Sequence, residues 1–120
     1  MILRHKLILA IAFGLFPAWG MAQSAHSVTL TWTASPDAAA NPTLSYNVYR
    51  SVTSCSSPVF SKVGSVASGV LTFQDTAVTV GNTYCYAVTS VLNGLEGNNS
   101  PVVQAVILPA PPPTLVETTK

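Results

Sequence analysis

The strongest constraint on this chain is a repeated alternation of apolar and polar residues in short runs. Val28, Leu30 and Trp32 alternate with Thr29, Thr31 and Thr33. Tyr46 and Val48 alternate with Asn47 and Tyr49, and Tyr84, Tyr86 and Val88 share one parity further on. A period of two places one set of side chains on one face of an extended strand. Each run is too short for a helix and ends in turn-forming residues: Ser35-Pro36-Asp37 to Asn41-Pro42, Ser68-Gly69, Gly81-Asn82, and Asn93-Gly94 with Glu96-Gly97-Asn98-Asn99. The pattern predicts six strands: Val28–Trp32, Leu44–Arg50, Val59–Val66, one marked by Leu71 and Phe73, Tyr84–Val91 and Val102–Leu108. Short strands at such spacing define an all-β sandwich or barrel. With 120 residues the chain holds one such core.

The first 22 residues belong to a different class of segment. Arg4, His5 and Lys6 precede an apolar run from Leu7 to Trp19, broken only by Gly14 and Pro17. Small residues follow, and Gly20-Met21-Ala22 offers a cleavage site before Gln23; Ala18-Trp19-Gly20 offers a competing one before Met21. A basic start, a short apolar stretch and small residues are the marks of a secretory signal. The run is short of the roughly 20 residues that span a bilayer, which favours a cleaved signal over the alternative, an uncleaved membrane anchor. The expected place of work is therefore secreted, periplasmic or otherwise extracellular, with no membrane span after signal removal. At the other end, residues 109–120 contain Pro109, Pro111, Pro112 and Pro113. Proline lacks the N–H that a sheet ladder needs, so this stretch reads as an extended tail. Three parts result: a signal at 1–22, a β-sandwich at 23–108 and a Pro-rich tail at 109–120.

Charge excludes some partners. Charged residues are only 8% of the chain, against roughly 25% in ordinary soluble domains. Beyond residue 22, Arg50, Lys62 and Lys120 face Asp37, Asp75, Glu96 and Glu117, leaving a net charge of −1. No basic patch exists to engage phosphate backbones, so nucleic acid is not an expected partner. Catalysis has no visible constellation either. The acids are scattered, Asp37 and Glu96 in loops, Asp75 at a strand end before Thr76, and Glu117 in the tail. His26 has no Ser and Asp arranged around it. No metal or cofactor site is expected. Asn98-Asn99-Ser100 has the form of a glycosylation sequon, followed by Pro101, and no Arg-Gly-Asp triplet is present.

Cys55 and Cys85 are the only cysteines. In an exported chain an even count favours a disulfide. Neither C-x-x-C spacing nor a neighbouring histidine favours a metal or redox role. Cys85 alternates with Tyr84 and Tyr86, so it is expected to face outward. Trp32, Tyr46, Val48, Tyr84, Tyr86 and Val88 form the expected core. Tyr49 looks outward, and together with Arg50 it is the candidate surface contact.

Three segments resemble the fibronectin type III domain. Ser27-Val28-Thr29-Leu30-Thr31-Trp32 resembles its tryptophan-bearing strand, and Tyr46-Asn47-Val48-Tyr49-Arg50 resembles the next. Val78-Thr79-Val80-Gly81-Asn82-Thr83-Tyr84-Cys85-Tyr86-Ala87-Val88 resembles its L-x-P-G-T-x-Y-x-Y-x-V stretch. The resemblance covers about residues 26–108. It implies a two-sheet, immunoglobulin-like sandwich of six to seven strands, with Tyr84 as a corner tyrosine bonded to upstream backbone. It implies that the strands ending near Cys55 and starting near Cys85 are antiparallel neighbours, which supports the bridge. It also implies a first strand ahead of the tryptophan strand. Only Gln23 to His26 lie there after cleavage, so that strand is expected to be missing or stubby, leaving an open edge. The resemblance implies a non-catalytic recognition or spacer module that meets protein or polysaccharide. The open edge adds an alternative, a self-assembling structural subunit.

Overall fold

The computed structural model describes residues 7–13 and 24–118. Eight strands run through them, all paired antiparallel: β1 (Leu7–Phe13), β2 (Ser24–Thr31), β3 (Ser45–Ser51), β4 (Ser61–Val66), β5 (Thr72–Asp75), β6 (Thr83–Leu92), β7 (Leu95–Glu96) and β8 (Val103–Val106). One sheet has the order β1-β2-β5. The other runs β4-β3-β6, and both β7 and β8 then pair with successive parts of β6. No α-helix occurs among the described residues.

The inner faces follow the alternation. Val28, Leu30 and Trp32 meet Tyr46, Val48, Tyr84, Tyr86 and Val88 in one buried cluster, joined by Leu44, Val103, Ala105 and Ile107. Trp32 lies one residue past β2, where its backbone N–H still donates to Leu71 O at 3.1 Å. Its ring meets Tyr46 edge-on, with centroids 5.5 Å apart, a favoured aromatic geometry. Burial of tyrosine requires that its hydroxyl be satisfied. Tyr46 Oη accepts from Ser35 N at 2.9 Å, and Tyr84 Oη accepts from Thr79 N at 3.0 Å. The second bond is the corner-tyrosine contact that the resemblance implies.

The boundaries differ from the sequence reading in instructive places. The third expected strand begins at Ser61 rather than Val59, which is 69% exposed, and Phe60 is only half-buried. The polar stretch after Val91 is not all loop. Asn93 (φ 51°) and Gly94 (φ 78°) make a two-residue turn, and Leu95–Glu96 folds back on β6. Two consecutive positive φ values are the hairpin geometry for which Asn-Gly is suited. Between β7 and β8, Ser100 completes the ladder with its own side chain. Val88 N donates to Ser100 Oγ at 2.9 Å, and Ser100 N donates back to Val88 O at 2.9 Å. At the far edge, a Cβ on Gly64 would sit 2.3 Å from the Phe73 ring, so only glycine lets the ring rest on β4.

The edge of β2 has a partner: Leu7–Phe13 pairs with it from Leu7↔Leu30 to Phe13↔Ser24. The open edge expected at β2 is therefore filled, and the pairing segment comes from the stretch read as a signal. The proposed cleavage sites lie outside the described residues. No helix among the described residues is long and apolar enough to cross a membrane. After Ile107 the chain leaves the sheet, and residues 109–118 hold no strand and are largely exposed.

Candidate functional site

β3 and β6 run side by side, with Val48 opposite Val88 and Arg50 opposite Tyr86. Their alternation sends polar groups to both sides of the sheet. On the inner side, Arg50 shares the parity of Tyr46 and Val48. Its Nη1 donates to Asp75 Oδ2 across the sandwich at 2.8 Å and to Ala77 O at 3.1 Å. Its guanidinium carbon also stands 5.4 Å from the Tyr84 ring centroid, within cation–π range. Asp75, only 4% exposed, also accepts from Tyr86 Oη at 2.7 Å and from Ala77 N at 3.0 Å. Burial opposes the Arg50 charge, but Asp75 outweighs it and the guanidinium is held more firmly protonated. Burial, followed by the bond to Asp75, pushes the Tyr86 hydroxyl well above its ordinary value of 10.0.

Arg50 is therefore not a surface contact residue, and Tyr49 and Arg50 do not form a joint site. They project from opposite faces, and Arg50 is committed to joining the two sheets. Asp75 does cap a turn through Ala77 N, but its main role is to balance Arg50.

On the outer side, two strands deliver three donors to one carboxylate on a third. Glu96 Oε2 on β7 accepts from Asn47 Nδ2 at 2.9 Å, from Tyr49 Oη at 2.5 Å and from Thr89 Oγ1 at 2.5 Å. Ser65 extends the row by donating to Asn47 Oδ1 at 2.7 Å. The Thr89, Tyr49 and Asn47 bonds hold the Glu96 carboxyl down at about 2 although it is exposed. The same contact, with Glu96 accepting, raises the Tyr49 hydroxyl above its usual 10.0. Tyr49 does face outward, half-buried and locked by its hydroxyl to Glu96.

Cys85 departs from its expected exposure. It lies on the outer face of β6 yet is fully buried. Cys55 stands at disulfide distance from it, with Cα atoms 5.6 Å apart, so the 52–59 loop is drawn toward the start of β6. Ser51 Oγ anchors that loop by accepting from Thr53 N and Val59 N.

A shallow hollow of about 310 Å³ opens where the β6–β7 hairpin meets the loop before β3. Leu44, Leu92 and Leu95 supply apolar lining, and Asp37, Asn93 and Glu96 supply polar groups. Leu95 is 77% exposed at the tip. The opposing loop is braced: Asp37 N donates to Ser35 Oγ at 3.3 Å, and Asn41 Nδ2 donates to Asp37 O at 2.9 Å. Two acids that look scattered in the sequence thus border one hollow. The Asn93-Gly94 turn was the available signal, since it folds Glu96 back toward the loop that carries Asp37. Among the described residues, no group of three or more His, Cys, Asp or Glu is placed to hold a metal ion.

Comparison with solved structures defines the fold class. A crystal structure of a Fn3-like protein from Clostridium thermocellum matches with a TM-score of 0.56 at 26% identity, over 86% of this chain and 92% of that one. The solution structure of a fibronectin type III domain derived from the human KIAA0970 protein matches with a TM-score of 0.59 at 14% identity, over 98% of this chain and 88% of that one. No protein-family model and no curated protein matches the chain. The architecture is a fibronectin type III-like β-sandwich.

Proposed function

We propose that this protein is a non-catalytic recognition or spacer module that works outside the cytoplasm and meets protein or polysaccharide at the hollow beside the β6–β7 hairpin. The observation that carries this reading is the hollow itself: leucines next to fixed polar groups, presented on a tight hairpin and a braced loop. Apolar surface with a few placed polar groups is the usual composition of a binding site. Exposed leucine at its tip is surface that a partner would cover. The chemistry of Glu96 argues against acid–base work there. A general acid needs a carboxyl held near the working pH, whereas Glu96 is kept ionised down to about 2. The cysteine pair supports an oxidising compartment.

The test is retention of the exported protein in affinity gels cast with soluble xylan, mannan, β-glucan or chitosan, and on arrays of synthetic peptides. Retention on one class, weakened at least tenfold by Leu95→Asp, is the expected result. No retention on any of them would overturn the recognition reading, and release of sugars or cleaved peptide would overturn the non-catalytic one. A second reading, a self-assembling structural subunit, is favoured by one observation: the edge of β2 is seen to accept a strand.

A further inference from the structure

The segment that completes the first sheet is the segment read as an export signal. Leu7–Phe13 covers seven consecutive positions of β2, from Ser24 to Leu30. Cutting the chain after Gly20 or Ala22 separates these residues from the domain. One stretch therefore cannot serve both as a removed signal and as a permanent strand. Processing would leave the backbone groups along one side of β2 without partners, and unpaired strand edges recruit other strands.

The two sheets treat their edges differently. β4, an edge of the larger sheet, carries Lys62 and Gly64, and its register with β3 shifts between Val48 and Tyr49. Charge, glycine and irregular pairing all discourage a further strand. β2 reads Ser-Ala-His-Ser-Val-Thr-Leu-Thr, with no Lys, Arg, Asp, Glu, proline or glycine, and both its ladders keep register throughout. It is built as an interior strand. The Pro-rich tail of the same chain is a poor substitute partner, because prolines at 109, 111, 112 and 113 remove donors.

β2 is, however, complementary to itself. An antiparallel pair centred on Val28 sets Val28 against Val28, Leu30 against His26 and Thr29 against Ser27. Residues directly opposite in a ladder share a face. The core-side residues then continue the core side, hydroxyl residues meet hydroxyl residues, and no Lys, Arg, Asp or Glu falls within the pair. We propose that the processed chain forms a two-fold dimer through antiparallel pairing of β2 with β2 of a second copy, giving the sheet order β5-β2-β2-β5. The arrangement is isologous and closes on itself, and β4 does not extend it. The inference rests on the export reading of residues 1–22 and deepens the self-assembly reading.

The experiment is to express the full chain, recover the exported product, determine its N-terminal mass, and measure sedimentation over a wide concentration range. The expected result is a product starting at Met21 or Gln23 that dimerises. Thr29→Lys should raise its dissociation constant at least tenfold by placing like charges next to each other across the junction. An unchanged thermal melt at dilution would show that the variant still folds. Independently, a synthetic peptide of Leu7–Phe13 with lysines added at both ends should convert dimer to monomer by occupying β2. A processed product that stays monomeric overturns the dimer and leaves the export reading intact. A dimer indifferent to both Thr29→Lys and the peptide also overturns it. A product that retains residues 1–22 defeats the export reading and, with β2 already filled in the same chain, the dimer as well.

Discussion

Asp75 and Glu96 are held by the same two strands from opposite sides of one sheet. Asp75 takes its donors from Arg50 on β3 and Tyr86 on β6, and Glu96 takes its donors from Asn47 and Tyr49 on β3 and Thr89 on β6. Even-numbered positions point inward and odd-numbered positions outward, so parity sorts the two sets. Inside, where water does not screen, the carboxylate is matched by a full positive charge. Outside, three neutral donors are enough, because solvent supplies the rest. The comparison shows that similar hydrogen-bond counts have very different energetic weight according to the side on which they fall.

The largest expected effect comes from removing the inner carboxylate alone. Asp75→Ala strands the Arg50 guanidinium and the Tyr86 hydroxyl, and should cost about 3–5 kcal/mol in the denaturant midpoint of the oxidised protein. Replacing the ion pair as a unit should hurt less. Arg50→Met with Asp75→Leu removes both charges, and the loss should fall to about 1–3 kcal/mol, set by the unpaired Tyr86 hydroxyl. If the double variant is no more stable than Asp75→Ala, the pair is not the unit of stabilisation. Base sharpens the contrast next. The raised Tyr86 hydroxyl keeps its proton in the fold while an unfolded tyrosine loses it near pH 10.0. Its contribution is whole below that value and declines as pH rises above it; ultraviolet difference titration should show Tyr86 ionising only as the protein unfolds. The smallest effect belongs to the outer site, where solvent screens the charge and Glu96→Gln should leave the neutral-pH melting temperature nearly unchanged. Its signature is the acid limb. The depressed Glu96 pKa contributes stability above about 4.5 that is lost as pH falls toward about 2. The Gln variant should show a flatter acid limb in the same thermal melts.

Local alternation made much of the sandwich legible. Trp32, Tyr46, Val48, Tyr84, Tyr86 and Val88 are buried as their parity requires. The same rule places Arg50 with Tyr46 and Val48, and pairing it with Tyr49 as one surface site overlooked that parity. Its partner Asp75 was not legible, because the pair joins two sheets across a sequence separation of 25. Glu96 was half-legible: Asn93-Gly94 announces a tight hairpin, yet only the register Val91↔Glu96 brings the carboxylate beside Thr89 and Tyr49. The burial of Cys85 depends on where the 52–59 loop lies, and no periodicity encodes that.

The cysteine pair has a further consequence when the molecule is loaded in tension. A pull between β2 and the tail that follows β8 would load the β8–β6 ladder, four residue pairs from Thr83↔Val106 to Tyr86↔Val103. The pair closes a loop across a separation of 30 residues. Extended chain spans at most about 3.3–3.6 Å per residue, so on the order of 100 Å of slack is locked away, and β6 stays fastened near its start to the loop beyond β3. With the pair bonded the domain would extend only as far as that crosslink allows, and reducing it would release the remaining length.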